Sequence, residues 1–203
     1  MDILVAATGN RHKIQEIDAV TRNLGIRVQS PEEAGFVLRD VEENGKSFSE
    51  NARIKAEAFA KDSGVATIAD DSGLVVDALD GAPGIYSARF SGPDATDETN
   101  LAKVLQWMEN IPDTERKARF VCAICVIFPD GSEIAVEGEC HGRILRAPIG
   151  ENGFGYDPIF VPVEYDAEGL SFGQIPAEEK NLISHRARAL IELEKKLKGR
   201  QHP

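Results

Sequence analysis

Cysteine is scarce in this chain, with 3 among 203 residues. That excludes a disulfide framework as the source of its stability. Positive charge is also in short supply: 23 Lys and Arg stand against 34 Asp and Glu, a formal net charge of −11. A protein that grips nucleic acid needs a basic footprint, so nucleic acid is not an expected partner. An anionic ligand would have to be met by a few local cations. Long apolar runs are missing as well. The stretch Ile3 to Ala7 is too short for a signal h-region and has no basic n-region, so a cytoplasmic protein with no membrane partner is expected. Neither G-x-x-x-x-G-K-[ST] nor G-x-G-x-x-G occurs, which excludes the two commonest phosphate-loop signatures.

What is present is ordinary globular material, 42% hydrophobic and 28% charged, and long enough for one domain or two joined lobes. Strand and helix patterns alternate at first. Ile3 to Ala7 reads as a strand, Lys13 to about Leu24 as a helix, Ser47 or Phe48 to Asp62 as a second helix, and Val65 to Ile68 as a strand. Leu74 to Val76 reads as a returning strand, so a hairpin-like excursion is expected here. A helix is expected from Thr96 to Glu109, two strands near 118–128 and 132–141 around Pro129-Asp130-Gly131-Ser132, and a last helix from Leu182 to Lys198. The residues from Ala147 to Pro162 read as a glycine-rich loop. Cys122 and Cys125 spell C-x-x-C inside an apolar strand, where positions three apart face opposite sides, so they are read as core residues and not as a redox or metal pair. The pattern predicts an α/β fold with a mixed sheet flanked by helices.

Candidate chemistry concentrates in a few places. Asp70-Asp71-Ser72-Gly73 interrupts an apolar run, and is either a solvated Asx turn or a functional pair of carboxylates at the tip of the excursion. Thr8-Gly9-Asn10 feeds a helix whose first turn carries Lys13, an unfavourable place for a cation unless an anion is near. The turn is either a plain N-cap or a phosphate cradle. Asn51 and Lys55, four apart, share one helix face, which by default is solvated. Glu43 and Asp71 could together hold Mg²⁺, which favours carboxylate oxygens, waters and substrate phosphates. Phe154 offers a ring to a base, while Asp157, Lys180, His185 and Arg186 could read its edge. Alternatively Phe154 anchors a loop, and His185 and Arg186 are first-turn residues behind a Ser184 cap.

Taken in order, Thr8-Gly9-Asn10-x-x-Lys13, Ser49-Glu50-Asn51-Ala52 with Lys55-Ala56, Ala69 to Leu74, Gly81 to Arg89, Phe154 to Pro158 and Ser184-His185-Arg186 resemble the inosine triphosphate pyrophosphatase family, also called XTP/dITP diphosphatases. The resemblance covers residues 6 to about 190. It implies a Mg²⁺-dependent homodimeric enzyme that hydrolyses ITP, dITP and XTP to the monophosphate and pyrophosphate, cleansing the nucleotide pool. It also implies that residues 1–203 form a single two-lobed domain with an elongated sheet and a substrate cleft. By position, Asp71 is then metal ligand and proton acceptor, Glu43 the second metal carboxylate, and Asp70 a support beside them. Thr8, Gly9, Asn10, Lys13, Lys55 and Ser72 contact substrate, and Phe154, Gly155, Tyr156, Asp157, Lys180, His185 and Arg186 line the base pocket. Two rival readings remain: a nucleotide-binding module without turnover, and a hydrolase of pyrimidine triphosphates.

Overall fold

Short β-branched strands separated by amphipathic helices leave a chain one economical arrangement, a sheet with parallel neighbours linked by helical crossovers. The computed structural model describes residues 3–201 and has this form. Strand β1 (Ile3–Ala6) leads into helix α1 (Arg11–Thr21), strand β2 (Arg27–Gln29), helix α2 (Phe48–Ser63) and strand β3 (Thr67–Val76). β1 pairs in parallel with β2, Leu4 opposite Val28, and with β3, Val5 opposite Thr67. There follow α3 (Asp97–Trp107), β4 (Lys117–Ile127), β5 (Glu133–Ile144), β6 (Phe160–Pro162), α4 (Ala177–Ile183) and α5 (His185–Gln201). The strand order is β2-β1-β3-β4-β5-β6. Phe128 N–H donates to the Ser132 carbonyl at 3.0 Å in the turn after β4, a link too short for a crossover, so β4 and β5 run antiparallel. β5 and β6 are antiparallel too, which makes the sheet mixed.

Helix ends follow local chemistry. Asn10 caps α1, its Oδ1 accepting from the amides of His12 and Lys13 at 3.0 and 3.2 Å. Ser47 caps α2 through the Glu50 amide at 3.1 Å, and Gly64, in the left-handed region at φ 70°, closes it.

The chain divides into two compact units. The first comprises 1–71, 122–138 and 186–203, and the second 72–121 and 139–185. The first has a core of Leu4, Ile17, Ile26, Ile68, Cys122, Ile124, Leu190 and Leu193, among others. The second packs Leu74, Val104, Met108, Phe120, Ile144, Ile159, Phe160 and Phe172. Each large apolar side chain removed from water contributes about 1.5–3 kcal/mol towards holding its unit together. Cys122 and Cys125 are buried in β4, as the strand reading expects. Burial pushes the Cys125 thiol up to about 12, far from a reactive thiolate.

Three expectations are corrected. The excursion around Asp70-Asp71 is not a hairpin: residues 67–76 form one uninterrupted strand, buried at every position but Ser72. Pattern reading places two adjacent acids at a turn because unpaired carboxylates cannot be buried. Here distant parts of the chain supply their partners. The last helix is two helices, interrupted at Ser184, whose backbone is extended at φ −64°, ψ 159°. The glycine-rich stretch 147–162 also contains β6, three residues that alone are too few to show a period.

Candidate functional site

Successive strand residues point to opposite faces, and this alternation sends Asp70 and Asp71 to different partners. Asp71 Oδ1 accepts from Lys55 Nζ at 3.0 Å and Oδ2 accepts from Asn51 Nδ2 at 3.2 Å. Asn51 and Lys55 therefore share a helix face, as their spacing demands, but the face is turned inward: Asn51 is fully buried. The solvated default is wrong for it. Lys55 Nζ also lies 3.3 Å from Glu43 Oε1, so two carboxylates converge on one ammonium. Burial pushes the Asp71 carboxyl above its usual range; Lys55 opposes that shift and Glu43 adds to it. Burial also works against charge on Lys55, but Asp71 and Glu43 outweigh it and hold the ammonium above its ordinary range.

Asp70 faces a different set. Its Oδ2 takes both Lys13 Nζ at 2.9 Å and Arg186 Nη2 at 3.3 Å, and Arg186 Nη1 also donates to Glu16. Burial alone would raise the Asp70 carboxyl, yet the two cations more than reverse this and hold it well below the usual carboxylate range. The anion that the position of Lys13 demands is thus Asp70 itself. Arg186, grouped by sequence with the base-reading residues, is tied by its guanidinium to Asp70 and Glu16 in the first unit. Thr8 Oγ1 accepts the Asn10 amide at 3.2 Å, while Gly9 and Asn10 are exposed at the mouth of α1. The plain N-cap reading of this turn is correct as far as it goes, since Asn10 engages two of the helix's first amides.

The second unit holds the other candidates. Lys180 Nζ donates to Asp157 Oδ2 at 2.5 Å and sits over the rings of Phe154 at 4.9 Å and Phe172 at 5.4 Å. Asp157 Oδ2 also accepts the Phe154 amide at 2.8 Å, so one carboxylate fixes both the lysine and the loop that carries the ring. The loop is crowded: a Cβ on Gly153, at φ +77°, would lie 2.0 Å from Asp157 Oδ2, and one on Gly150 2.1 Å from the Gly173 carbonyl oxygen. Phe154 itself is exposed, whereas Tyr156 is core, its hydroxyl donating to the Ser87 carbonyl at 2.7 Å. His185 is buried and stacked on Phe120, with centroids 4.9 Å apart and planes at 15°. Ser72 is the partly exposed residue of β3, directly after Asp71.

Several contributors escaped the sequence reading. Asp97 Oδ2 accepts the Gly155 amide at 2.7 Å, across 58 residues of chain, and nothing local signals that bond. Glu16 has no motif to mark it. Gly153 had a usable signal, a glycine directly before an exposed aromatic in a turn-rich stretch.

The arrangement has a definite chemical character. Glu43 and Asp71 offer hard oxygens to one cation position, a donor set that suits an oxygen-liganded divalent metal completed by waters and substrate. Among the described residues no group of three His, Cys, Asp or Glu side chains forms a protein-only metal cage. The exposed Phe154 with a cationic donor above its ring suits a planar heterocycle. Comparison with known proteins finds the same architecture elsewhere. A Ham1 protein from Staphylococcus aureus superposes with a TM-score of 0.85 at 41% identity, covering 98% of this chain and 99% of that one. A HAM1 protein from Coxiella burnetii gives 0.87 at 39%, covering 98% and 100%. Among curated relatives, a dITP/XTP pyrophosphatase of Geobacter sulfurreducens is 48% identical over 190 residues, 94% of each chain. One of Bacillus cereus is 45% identical over 199, covering 97% of this chain and 95% of the other. The sequence profile of the Ham1 family matches residues 4–196, a span that includes every candidate site residue named above, and the chain belongs to that family.

Proposed function

We propose that this chain is a hydrolase of non-standard purine nucleoside triphosphates, converting dITP, ITP and XTP to the monophosphate and pyrophosphate. The observation that carries this reading is the convergence of Glu43 and Asp71 on Lys55 Nζ, in a chain whose relatives are named dITP/XTP pyrophosphatases. Phosphoryl transfer asks a protein chiefly to position the phosphates and neutralise charge. Lys13, Lys55 and the Thr8-Gly9-Asn10 turn supply that function in a protein that is otherwise acidic. Glu43 and Asp71 would hold Mg²⁺, which supplies positive charge at the phosphate oxygens and makes a nearby water more acidic. Asp71, its carboxyl raised by burial, accepts the proton of the attacking water. The water oxygen joins phosphorus, the bond between the α- and β-phosphates breaks, and pyrophosphate leaves.

Choice of base rests on Phe154 as a stacking platform and on Lys180, with His185, as donors. A 6-keto oxygen accepts their hydrogen bonds, whereas the 6-amino group of adenine donates and leaves them unmet. Each buried polar group left unpaired costs about 1–3 kcal/mol, so two such mismatches separate the substrates by roughly two orders of magnitude or more. We further propose that the protein is a cytoplasmic homodimer; sedimentation at micromolar concentration tests the oligomeric state. Among the described residues no helix is long and apolar enough to cross a membrane. Pyrophosphate release from ITP, dITP, XTP, ATP, GTP and dTTP, with and without Mg²⁺, tests the activity. Release from the first three well above that from ATP and dTTP, and only with the metal, is the expected result.

A further inference from the structure

Asn51 uses both ends of its side chain. Its Oδ1 accepts the Gly45 amide at 2.9 Å and its Nδ2 donates to Asp71 Oδ2 at 3.2 Å, with the residue fully buried. Gly45 lies two residues beyond Glu43, so one amide group spans from the loop carrying one carboxylate to the strand carrying the other. The loop is seated closely. A Cβ on Gly45 would lie 2.6 Å from Asn51 Oδ1 and 2.8 Å from Glu50 Cβ, and Glu50 Oε2 accepts the next amide, Lys46, at 2.7 Å. A carboxamide suits this position because it presents an acceptor to Gly45 and a donor to Asp71. A carboxylate of the same shape would set two acceptors face to face, and an aliphatic side chain would leave Asp71 Oδ2 and the Gly45 amide without these bonds.

We propose that Asn51 is a positioning residue that fixes Glu43 relative to Asp71 and thereby sets the affinity for the divalent cation. The proposal rests on the reading of those two carboxylates as metal ligands. Groups that orient metal ligands typically change metal affinity by about 10–100-fold when removed. The test compares wild type, Asn51→Leu, Asn51→Ser and Gly45→Ala in three measurements: Mn²⁺ binding followed by electron paramagnetic resonance, amide exchange at residues 43–46, and Mg²⁺ dependence of ITP hydrolysis. Mn²⁺ affinity should fall by about tenfold or more in the Asn51 variants. Amide protection at 43–46 should fall with it, and the Mg²⁺ needed for half-maximal rate should rise while the rate at saturating Mg²⁺ changes far less. Gly45→Ala, whose Cβ would crowd Asn51 Oδ1, should act in the same direction with residues 51 and 71 unsubstituted, and it carries the test should the Asn51 variants fail to fold. Folded variants that bind Mn²⁺ as wild type does would overturn the proposal and reduce Asn51 to a core polar residue. A wild-type enzyme that neither binds Mn²⁺ nor needs Mg²⁺ would overturn the reading of Glu43 and Asp71 as well.

Discussion

The two units hold their candidate groups by different means. In the first, charge is set against charge with little solvent: Asp70 is locked between Lys13 and Arg186, and Asp71 and Glu43 share Lys55. In the second, polar groups are mounted on aromatic rings and loop backbone. Lys180 stands over Phe154 and Phe172, His185 stacks on Phe120, and Asp157 and Asp97 pin loop amides. The difference fits the division of labour proposed for the two units. Charged phosphates and a reacting water call for fixed charges, whose positions are worth stability to maintain, while a neutral base is chosen by ring shape and by which hydrogen bonds go unmet. Within the first unit there is a further contrast. Neighbouring acids on one strand are driven in opposite directions, Asp70 down by two cations and Asp71 up by burial, so Asp71 takes up a proton more readily than Asp70, as the proposed role of Asp71 requires.

The sharpest way to break this contrast is to neutralise each acid in turn. Asp71→Asn is expected to lower kcat by about 10²–10⁴-fold, the usual scale for losing a general base, as measured by pyrophosphate release. The fold should survive, with a melting temperature equal to or above wild type at pH 7. The sign follows from linkage: a carboxyl raised in the folded state favours folding below its unfolded value, and that contribution is lost as pH rises through the folded value. At neutral pH the Asp71 charge is thus a cost that the amide removes. Asp70→Asn should do the reverse and destabilise the protein by roughly 3–5 kcal/mol, because Arg186 and Lys13 lose their buried counter-charge; urea unfolding measures it. The lowered Asp70 carboxyl gives stability that is present above its unfolded value, near 4, and is lost as pH falls below that, so wild type should weaken in acid more than Asp70→Asn does.

Smaller effects sharpen the comparison from the other unit. Lys180→Met should reduce the preference for ITP over ATP by about 10–100-fold, through 1–3 kcal/mol of lost discrimination, with the ATP rate little changed. A substrate-independent fall in both rates would show that Lys180 only holds the fold. Asp97→Asn should be mildest. The Gly155 amide keeps a neutral acceptor, so KM for ITP should rise by a factor of a few, in line with about 0.5–1.5 kcal/mol for a hydrogen bond that loses its charge, and kcat should stay level.

How much of this was legible in sequence follows the same physics. The α/β class, the helix cap at Asn10, the buried cysteines and the Pro129 turn depend on neighbours within a few residues, and local pattern finds such features. The course of β3 was not legible, because burying Asp70 and Asp71 depends on Lys13, Asn51, Lys55 and Arg186, up to 116 residues away. The inward orientation of Asn51 had a local hint, its spacing to Lys55, but solvent is the default for two polar residues on a helix. The bond from Asp97 to Gly155 left no pattern in composition or period, whereas the break at Ser184 had a local signal in the serine ahead of His185 and Arg186, which the helix pattern from Leu182 overrode. Motif resemblance grouped the residues; only the structure distributed Arg186 to the carboxylate network and Tyr156 to the core.

In the proposed enzyme the charged cluster carries out the reaction and the aromatic loop chooses the base. Steady-state pyrophosphate release from ITP and from ATP in Mg²⁺, by wild type, Asp71→Asn and Lys180→Met side by side, tests this division most directly. ITP should be strongly preferred by wild type, both rates should collapse in Asp71→Asn, and the preference alone should shrink in Lys180→Met. Equal hydrolysis of ITP and ATP by wild type, or an Asp71→Asn enzyme with the wild-type rate, would contradict it.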